Sequence, residues 1–272
     1  MIGGVYVIIF KEDALQGRHI LVTGATGGIG FETAKAAVQA GAAVTITGRN
    51  EEKLEELKQA CEEIAADAKV FIQKADLTKD EERRHLVEEA NEVNGRIDGL
   101  VNSAGIGGGG PVKDLPEEEM RKIMELNYTS TVLLTQLVYE TMRNADAGAI
   151  VNLSSLSGLR GTKGNSAYSA SKFAVTGFTQ AFAHEAIEEN IRVNAVCPGF
   201  VDTSMGLNAI RKKGEREGRS FEEQMKVVEE GIPSGRITKA EEVANTIVFL
   251  LSDAAENIVG ESVKISGGSV MR

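Results

Sequence analysis

The segment H-I-L-V-T-G-A-T-G-G-I-G, His19 to Gly30, decides the fold. Ile20–Thr23 is a short apolar run with no polar alternation, the pattern of a strand buried on both faces. A glycine-rich turn, Thr23 to Gly30, joins it directly to the helical pattern of Ile29–Gln39. In that turn Gly24 permits a tight bend and Gly28 lets backbone approach a pyrophosphate. Gly30 allows close helix–strand packing. The helix N-terminus then offers free N–H groups and a partial positive charge to an anion. The spacing is not G-x-G-x-x-G, so the turn draws its weight from its place at the end of a first strand.

Outward from this point the chain alternates. Strand-like runs fall at Ala43–Thr47, Lys69–Gln73, Gly99–Asn102, Ala149–Leu153, Arg192–Cys197 and Ser262–Ile265. Helical patterns separate them at Glu51–Ala66, Lys79–Asn91, Glu117–Met142, Ala167–Glu188 and Ala240–Leu251. Such alternation implies βαβ units in one parallel sheet, with any site at the strands' C-terminal ends. The expected class is therefore α/β, a Rossmann-type doubly wound parallel sheet of about seven strands. It forms a single domain over residues 15–272, preceded by an N-terminal extension, residues 1–14. Residues 203–234 break the rhythm: polar, charged and too long for an ordinary connection, they read as a lid over a substrate. Val5–Phe10 is apolar but too short to span a bilayer. It reads as an extra edge strand, a subunit contact or a translation-start artefact.

The chain has 272 residues, 42% hydrophobic, and a formal charge of −10. It is long enough to bury a core without disulfides or metals. The acidic balance argues against nucleic acid and anionic membranes as partners. The basic cluster Arg211–Lys213 with Arg216 and Arg219 is interleaved with Glu215 and Glu217, and reads as a solvated face. Cys61 and Cys197 lack CxxC or metal spacing and read as reduced thiols of a cytoplasmic protein. The three scattered histidines give no metal site.

At the nucleotide end, G-R-N (Gly48 to Asn50) closes the second strand. An NAD-selective site places a carboxylate there for the ribose 2′-hydroxyl. Arg49 stands in its place, and a guanidinium forks onto a 2′-phosphate, favouring NADPH/NADP over NADH. Asp76-Leu77 either caps the next helix or accepts the adenine amino group. N-S-A-G (Asn102 to Gly105, with Ala104), followed by glycines to Gly110, opens a backbone passage beside the fourth strand.

At the chemical end, Tyr168 and Lys172 share a helix face, four residues apart. Ser155 ends the fifth strand, and Asn127 lies within the helix 117–142. Reducing a ketone needs hydride at carbon and a proton at oxygen. A phenol near pKa ~10 is a poor base at neutral pH, and a nearby ammonium lowers that value. Lys172 is placed to do so and to bond a nicotinamide ribose. Ser155 would polarise the carbonyl, and the Asn127 side chain would hold a water relaying protons through Lys172.

These pieces together resemble the short-chain dehydrogenase/reductase family over about residues 15–270. They are T-G-A-T-G-G-I-G, Asp76, N-S-A-G, Asn127, Ser155, Y-S-A-S-K (Tyr168 to Lys172) and P-G-F-V-D-T (Pro198 to Thr203). The resemblance implies a Ser155–Tyr168–Lys172 site assisted by Asn127. It adds cofactor contacts from Thr26, Ile29, Asn102, Pro198, Gly199, Val201 and Thr203, and a homotetramer or homodimer. N-S-A-G departs from the commoner N-N-A-G, and S-G-G at Ser266–Gly268 from D-G-G. I-P-S-G-R (Ile232 to Arg236) and the glycine run at 107–110 are similar to 3-oxoacyl and polyketide ketoreductases. The carrier-gripping arginines of that group are replaced here by Asp146 and Glu189, which would repel an acidic carrier. The leading expectation is an enzyme acting on a small carbonyl or an acyl thioester. A reductase of carrier-bound 3-oxoacyl groups, or a non-catalytic dinucleotide sensor, are the alternatives.

Overall fold

A computed structural model describes residues 13–145 and 147–271. The Val5–Phe10 segment and Asp146 lie outside the described residues. Seven strands form one parallel sheet: β1 (His19–Val22), β2 (Ala43–Ile46), β3 (Val70–Ile72), β4 (Gly99–Asn102), β5 (Gly148–Leu153), β6 (Ile191–Pro198) and β7 (Ser262–Ile265). The order across the sheet is β3-β2-β1-β4-β5-β6-β7, so it reverses between β1 and β4. β1, β4 and β6 are buried along their whole length because helices cover both faces.

The helices are α1 (Gly28–Gln39), α2 (Glu51–Ile64), α3 (Asp80–Asn94), α4 (Glu117–Met124), α5 (Ser130–Met142), α6 (Ser166–Ala186), α7 (Ser204–Glu217), α8 (Phe221–Glu230) and α9 (Ala240–Leu251). One apolar layer lies beneath α1, α2 and α9, and includes Val22, Val44, Ile46, Leu57 and Ile247. The other lies beneath α3, α5 and α6, and includes Leu21, Leu100, Leu134, Ile150 and Val193. Cys61 and Cys197 are both buried and unpaired.

One expectation needed correction. The single helix expected over Glu117–Met142 is interrupted at Glu125–Thr129 by a π-helical segment. Its backbone angles at both ends stay helical, so hydrophobic periodicity continues through it. Residues 203–234, expected to form a lid, contain two consecutive helices, α7 and α8. The Thr203 side chain caps α7 by accepting from Gly206 N, and α7 ends at Gly218 in a left-handed conformation. α8 then opens with a Ser220/Glu223 capping box.

Candidate active site

The strand order reverses between β1 and β4, and the loops after these strands split apart there to leave a crevice. A cleft of about 210 Å³ occupies it. Its lining includes Gly24, Thr26, Gly28, Ile29, Gly30, Arg49, Asp76, Leu77, Ala104, Gly105 and Thr203 from the sequence expectation. Asn102, Tyr168, Lys172, Pro198, Gly199 and Val201 do not line it. A more open depression of about 350 Å³, lined partly by Phe31, Glu32, Asp202 and Lys239, takes in Gly28 but none of the chemical residues.

The three turn glycines are each required, though not all for the expected reason. Gly24 has φ +61°, and a Cβ there would lie 2.7 Å from the Ala104 backbone. At Gly30 a Cβ would meet the Gly24 carbonyl at 2.4 Å, so close packing within the turn demands glycine. Gly28 is held by the Thr203 side chain, which a Cβ would meet at 2.5 Å. That contact joins the first turn to the start of α7. The first turn of α1 has neither a side-chain cap nor an acidic residue. α2, by contrast, has both, with Asn50 accepting from Lys53 N and Glu51 and Glu52 in its first turn. The orphan N–H groups of α1 open on the cleft, which suits an anionic phosphate.

Asp76 makes an Asx-type turn, its Oδ1 accepting from Thr78 N (3.1 Å) and Thr78 Oγ1 (2.8 Å). Burial raises its pKa, but the two Thr78 bonds and the nearby Arg49 charge outweigh this and lower it overall. Arg49 is exposed at the cleft edge and forms no ion pair among the described residues.

Asn102 is a buried scaffold residue. Its amide donates to Thr135 Oγ1 and Asn152 Oδ1, both at 2.9 Å, and Asn152 donates onward to Thr179 Oγ1. This ladder ties β4 and β5 to the helices beneath, so the side chain is turned away from the cleft. Thr23, which the sequence reading did not single out, arranges the N-S-A-G loop instead. Its Oγ1 accepts from Ser103 N and Ala104 N at 3.0 and 3.1 Å.

Beyond Gly105 and Leu153, at the end of the cleft, the chemical residues meet. Lys172 is buried and its Nζ donates to the Leu153 carbonyl at 2.6 Å. The same Nζ lies 5.7 Å from the Tyr168 ring centre. The Ser155 side chain stands near the Tyr168 hydroxyl and acts to lower its pKa, and Ser155 Oγ accepts from Ser157 N at 3.1 Å. Burial dominates both ionisations. It pushes the Tyr168 phenol up, opposed by the Ser155 side chain, and lowers Lys172 to about 8. The expected lowering of the phenol by Lys172 is not what governs this arrangement, because the amine is turned onto a carbonyl.

Asn127 also differs from expectation. Its Oδ1 accepts from Ile106 N at 2.8 Å, and its Nδ2 donates to Ile106 O and to Ser171 Oγ, both at 3.0 Å. Both amide protons are thereby spent. The side chain clamps the 105–106 backbone to α6, and the π-helical segment is what turns it inward. Gly158 was likewise missed. A Cβ there would come within 2.4 Å of Ser154 Oγ and 2.6 Å of the Lys172 carbonyl, so the turn after Ser155 packs directly on α6.

The family model described as short chain dehydrogenase matches residues 18–214. The chain belongs to the short-chain dehydrogenase family. It is 35% identical over 257 residues to the 3-oxoacyl-(acyl-carrier-protein) reductase of Thermotoga maritima, covering 94% of this chain and 99% of that one. Among solved structures, actinorhodin polyketide ketoreductase with NADPH superposes with a TM-score of 0.90 at 33% identity, over 93% and 97% of the two chains. NAD+-bound xylitol dehydrogenase gives 0.89 at 28% identity, over 93% and 99%. This short-chain dehydrogenase is thus an oxidoreductase of a family that binds nicotinamide dinucleotides. Among the described residues no helix is long and apolar enough to cross a membrane, and no group of side chains could hold a metal.

Proposed function

We propose that the chain is an NADP(H)-dependent carbonyl reductase, interconverting a ketone and a secondary alcohol with Tyr168 as general acid and base. One observation carries the reading: Tyr168, with Ser155 near its hydroxyl and Lys172 Nζ 5.7 Å from its ring centre, stands where the dinucleotide-type cleft ends. The nicotinamide, when bound, supplies or accepts the hydride. Ser155 and Tyr168 together hold the carbonyl oxygen, and Tyr168 passes its proton to the oxygen as the C–O bond gains negative charge. Burial keeps the phenol protonated at neutral pH, the form a reduction needs. Lys172 holds positive charge behind it, and Asn127 fixes the Gly105–Ile106 backbone that borders both. Gly24, Thr26, Gly28, Ile29 and Gly30 would hold the pyrophosphate, Asp76 and Leu77 the adenine, and Ala104, Gly105 and Thr203 the rest of the dinucleotide. Asn102, Pro198, Gly199 and Val201 support these loops from behind.

Related structures hold either dinucleotide, so family membership leaves the choice open. Arg49 favours NADP(H), because it lines the cleft, forms no ion pair among the described residues, and replaces the carboxylate an NAD site would need. Initial rates with NADPH and NADH on ketones and a free 3-oxoacyl thioester test this. Arg49→Ala should cut kcat/KM with NADPH about tenfold or more, at little cost to NADH, since it removes a charged bidentate contact. Wild-type rates that are equal or better with NADH would overturn the NADP(H) assignment.

The carrier-bound 3-oxoacyl reductase is the second reading, favoured by the Thermotoga relative. Glu188 and Glu189 at the end of α6 oppose it, since they would face an acidic carrier with like charge. A free ketone or acyl thioester is therefore preferred. A sensor without turnover is a weaker third reading, because it gives no use to the Ser155–Tyr168–Lys172 set. Exposed Phe173 and Ile187 on the outer side of α6 support a homotetramer or homodimer. Two unpaired buried cysteines support a reducing, cytoplasmic setting.

A further inference from the structure

The basic cluster that the sequence reading treats as a solvated face has a defined place in the fold. Met205, Lys212 and Arg216 are spaced by seven and four residues along α7. At 3.6 residues per turn these three positions point within about 40° of one another. Both ends of the row are fixed by contacts. Met205 lines the cleft, and a Cβ on Gly107 would lie 3.5 Å from its side chain. Arg216 Nη1 donates to the Gly164 carbonyl at 3.2 Å. Ile210 and Gly214, on the opposite side of α7, are buried. Lys212 therefore stands on the same line as Met205 and Arg216, between the dinucleotide cleft and the 162–165 loop.

That loop connects Ser155 to α6 and adds exposed Arg160 and Lys163. Among the described residues Arg160, Lys163, Lys212, Lys213 and Arg216 have no carboxylate partner. This is unusual company for a chain with 40 acidic and 30 basic residues. The neighbouring arginines are satisfied, Arg219 by Glu217 and Gln224, and Arg211 by Asn208 and the Phe221 ring. Unpaired cations gathered at one rim repel each other and focus a positive potential over the mouth of the site. At 1.5 Å of rise per residue, Lys212 stands about 10 Å and Arg216 about 16 Å outward from Met205. An anion held there is separated from the reacting carbonyl by a long arm.

We propose that Lys212 and Arg216, with Arg160 and Lys163, form an anion-binding rim for the phosphates of an acyl thioester on a phosphopantetheine arm, with coenzyme A as its source. The proposal rests on the reductase reading, since the acyl carbonyl must reach Tyr168. Coenzyme A carries several phosphates to match several cations. A carrier protein offers one phosphodiester and brings an acidic body toward Glu188 and Glu189.

The test presents one 3-oxoacyl group to the whole protein with saturating NADPH, on coenzyme A, on N-acetylcysteamine and on a carrier protein. The coenzyme A thioester should exceed the N-acetylcysteamine thioester in kcat/KM by about tenfold or more, through KM, and the advantage should shrink with added salt. The double variant Lys212→Glu, Arg216→Glu should remove the advantage while leaving the N-acetylcysteamine value within about twofold. Equal wild-type values for these two thioesters, or an equal loss on both in the variant, overturn the rim. A carrier-bound substrate faster than the coenzyme A thioester overturns the assignment of the source. Calorimetric titration of free coenzyme A into the NADP+-saturated protein separates the two readings. Charge-dependent binding without turnover of any thioester upholds the rim and sinks the reductase. Turnover of the N-acetylcysteamine thioester without coenzyme A binding does the reverse.

Discussion

Tyr168 and Lys172 lie one helical turn apart, and burial drives their ionisations in opposite directions. The phenol is pushed up and the ammonium falls to about 8. Both groups are protonated at neutral pH, which suits reduction and opposes alcohol oxidation. The kcat/KM for ketone reduction should therefore hold through neutrality and fall as pH rises through about 8. The oxidation rate should climb over the same range, because the phenol must first lose its proton. A pH profile in both directions measures this, and Lys172→Met should erase the limb near 8. Parallel profiles in the two directions would show that proton donation does not limit either. Tyr168→Phe removes the donor without changing ring packing. It should cost about 10²–10⁴ in turnover, the range of a positioned general acid, and leave dinucleotide affinity within about twofold. A fully active variant would require a different proton source.

At the scale of elements, a set of short contacts between loops and helices shapes the candidate site. Glu119 on α4 reaches the glycine run, its Oε1 accepting from Gly109 N at 2.8 Å. A Cβ on Gly108 would lie 2.9 Å from the same oxygen, so the loop is moulded on that carboxylate. Glu119→Ala should free the run and raise KM several-fold with kcat nearly unchanged, while Glu119→Gln, which keeps an acceptor, should rescue much of it. A loss confined to kcat would place Glu119 with the chemistry instead. Such contacts explain why the site was only partly legible. Residues defined by spacing, such as Tyr168 with Lys172, or the glycines before α1, announce themselves. Asn127 could be named but its work could not, because the π-helical segment leaves no mark on hydrophobic periodicity. Thr23, Ser171 and Gly158 act through backbone atoms distant in sequence, and no local pattern points to them. The hydrogen bonds of Asn102 were illegible for a related reason: its partners Thr135 and Asn152 belong to other elements.

At the scale of the whole molecule the reading was nearly complete, since a parallel sheet covered on both faces writes its strands as unbroken apolar runs. The expected runs fall within one or two residues of β1–β7. One buried group in that sheet was invisible to patterning. His19 at the start of β1 joins three elements, with Nδ1 on Gly95 O and Nε2 on Thr45 Oγ1 of β2, both at 2.8 Å. Burial lowers its pKa below 6.5, although the Gly95 bond and the nearby Asp98 charge act against this. The neutral ring therefore donates from Nδ1 to Gly95 and accepts from Thr45. Below pH 6.5 the unfolded chain binds a proton at this position that the folded chain resists. Stability is thus full above the unfolded pKa and is lost as pH falls toward the folded one. His19→Gln should be less stable than wild type near neutrality, since it breaks the paired bonds. The gap should narrow as pH drops from about 7.5 to about 5.5, because the variant has no such proton to refuse. Denaturant unfolding of both proteins at the two pH values checks this, and the comparison cancels the acid sensitivity shared by the remaining 40 carboxylates. A gap that stays constant would mean that His19 keeps its ordinary titration in the folded sheet, and that the β1–β2–α3 junction owes nothing to its neutral form.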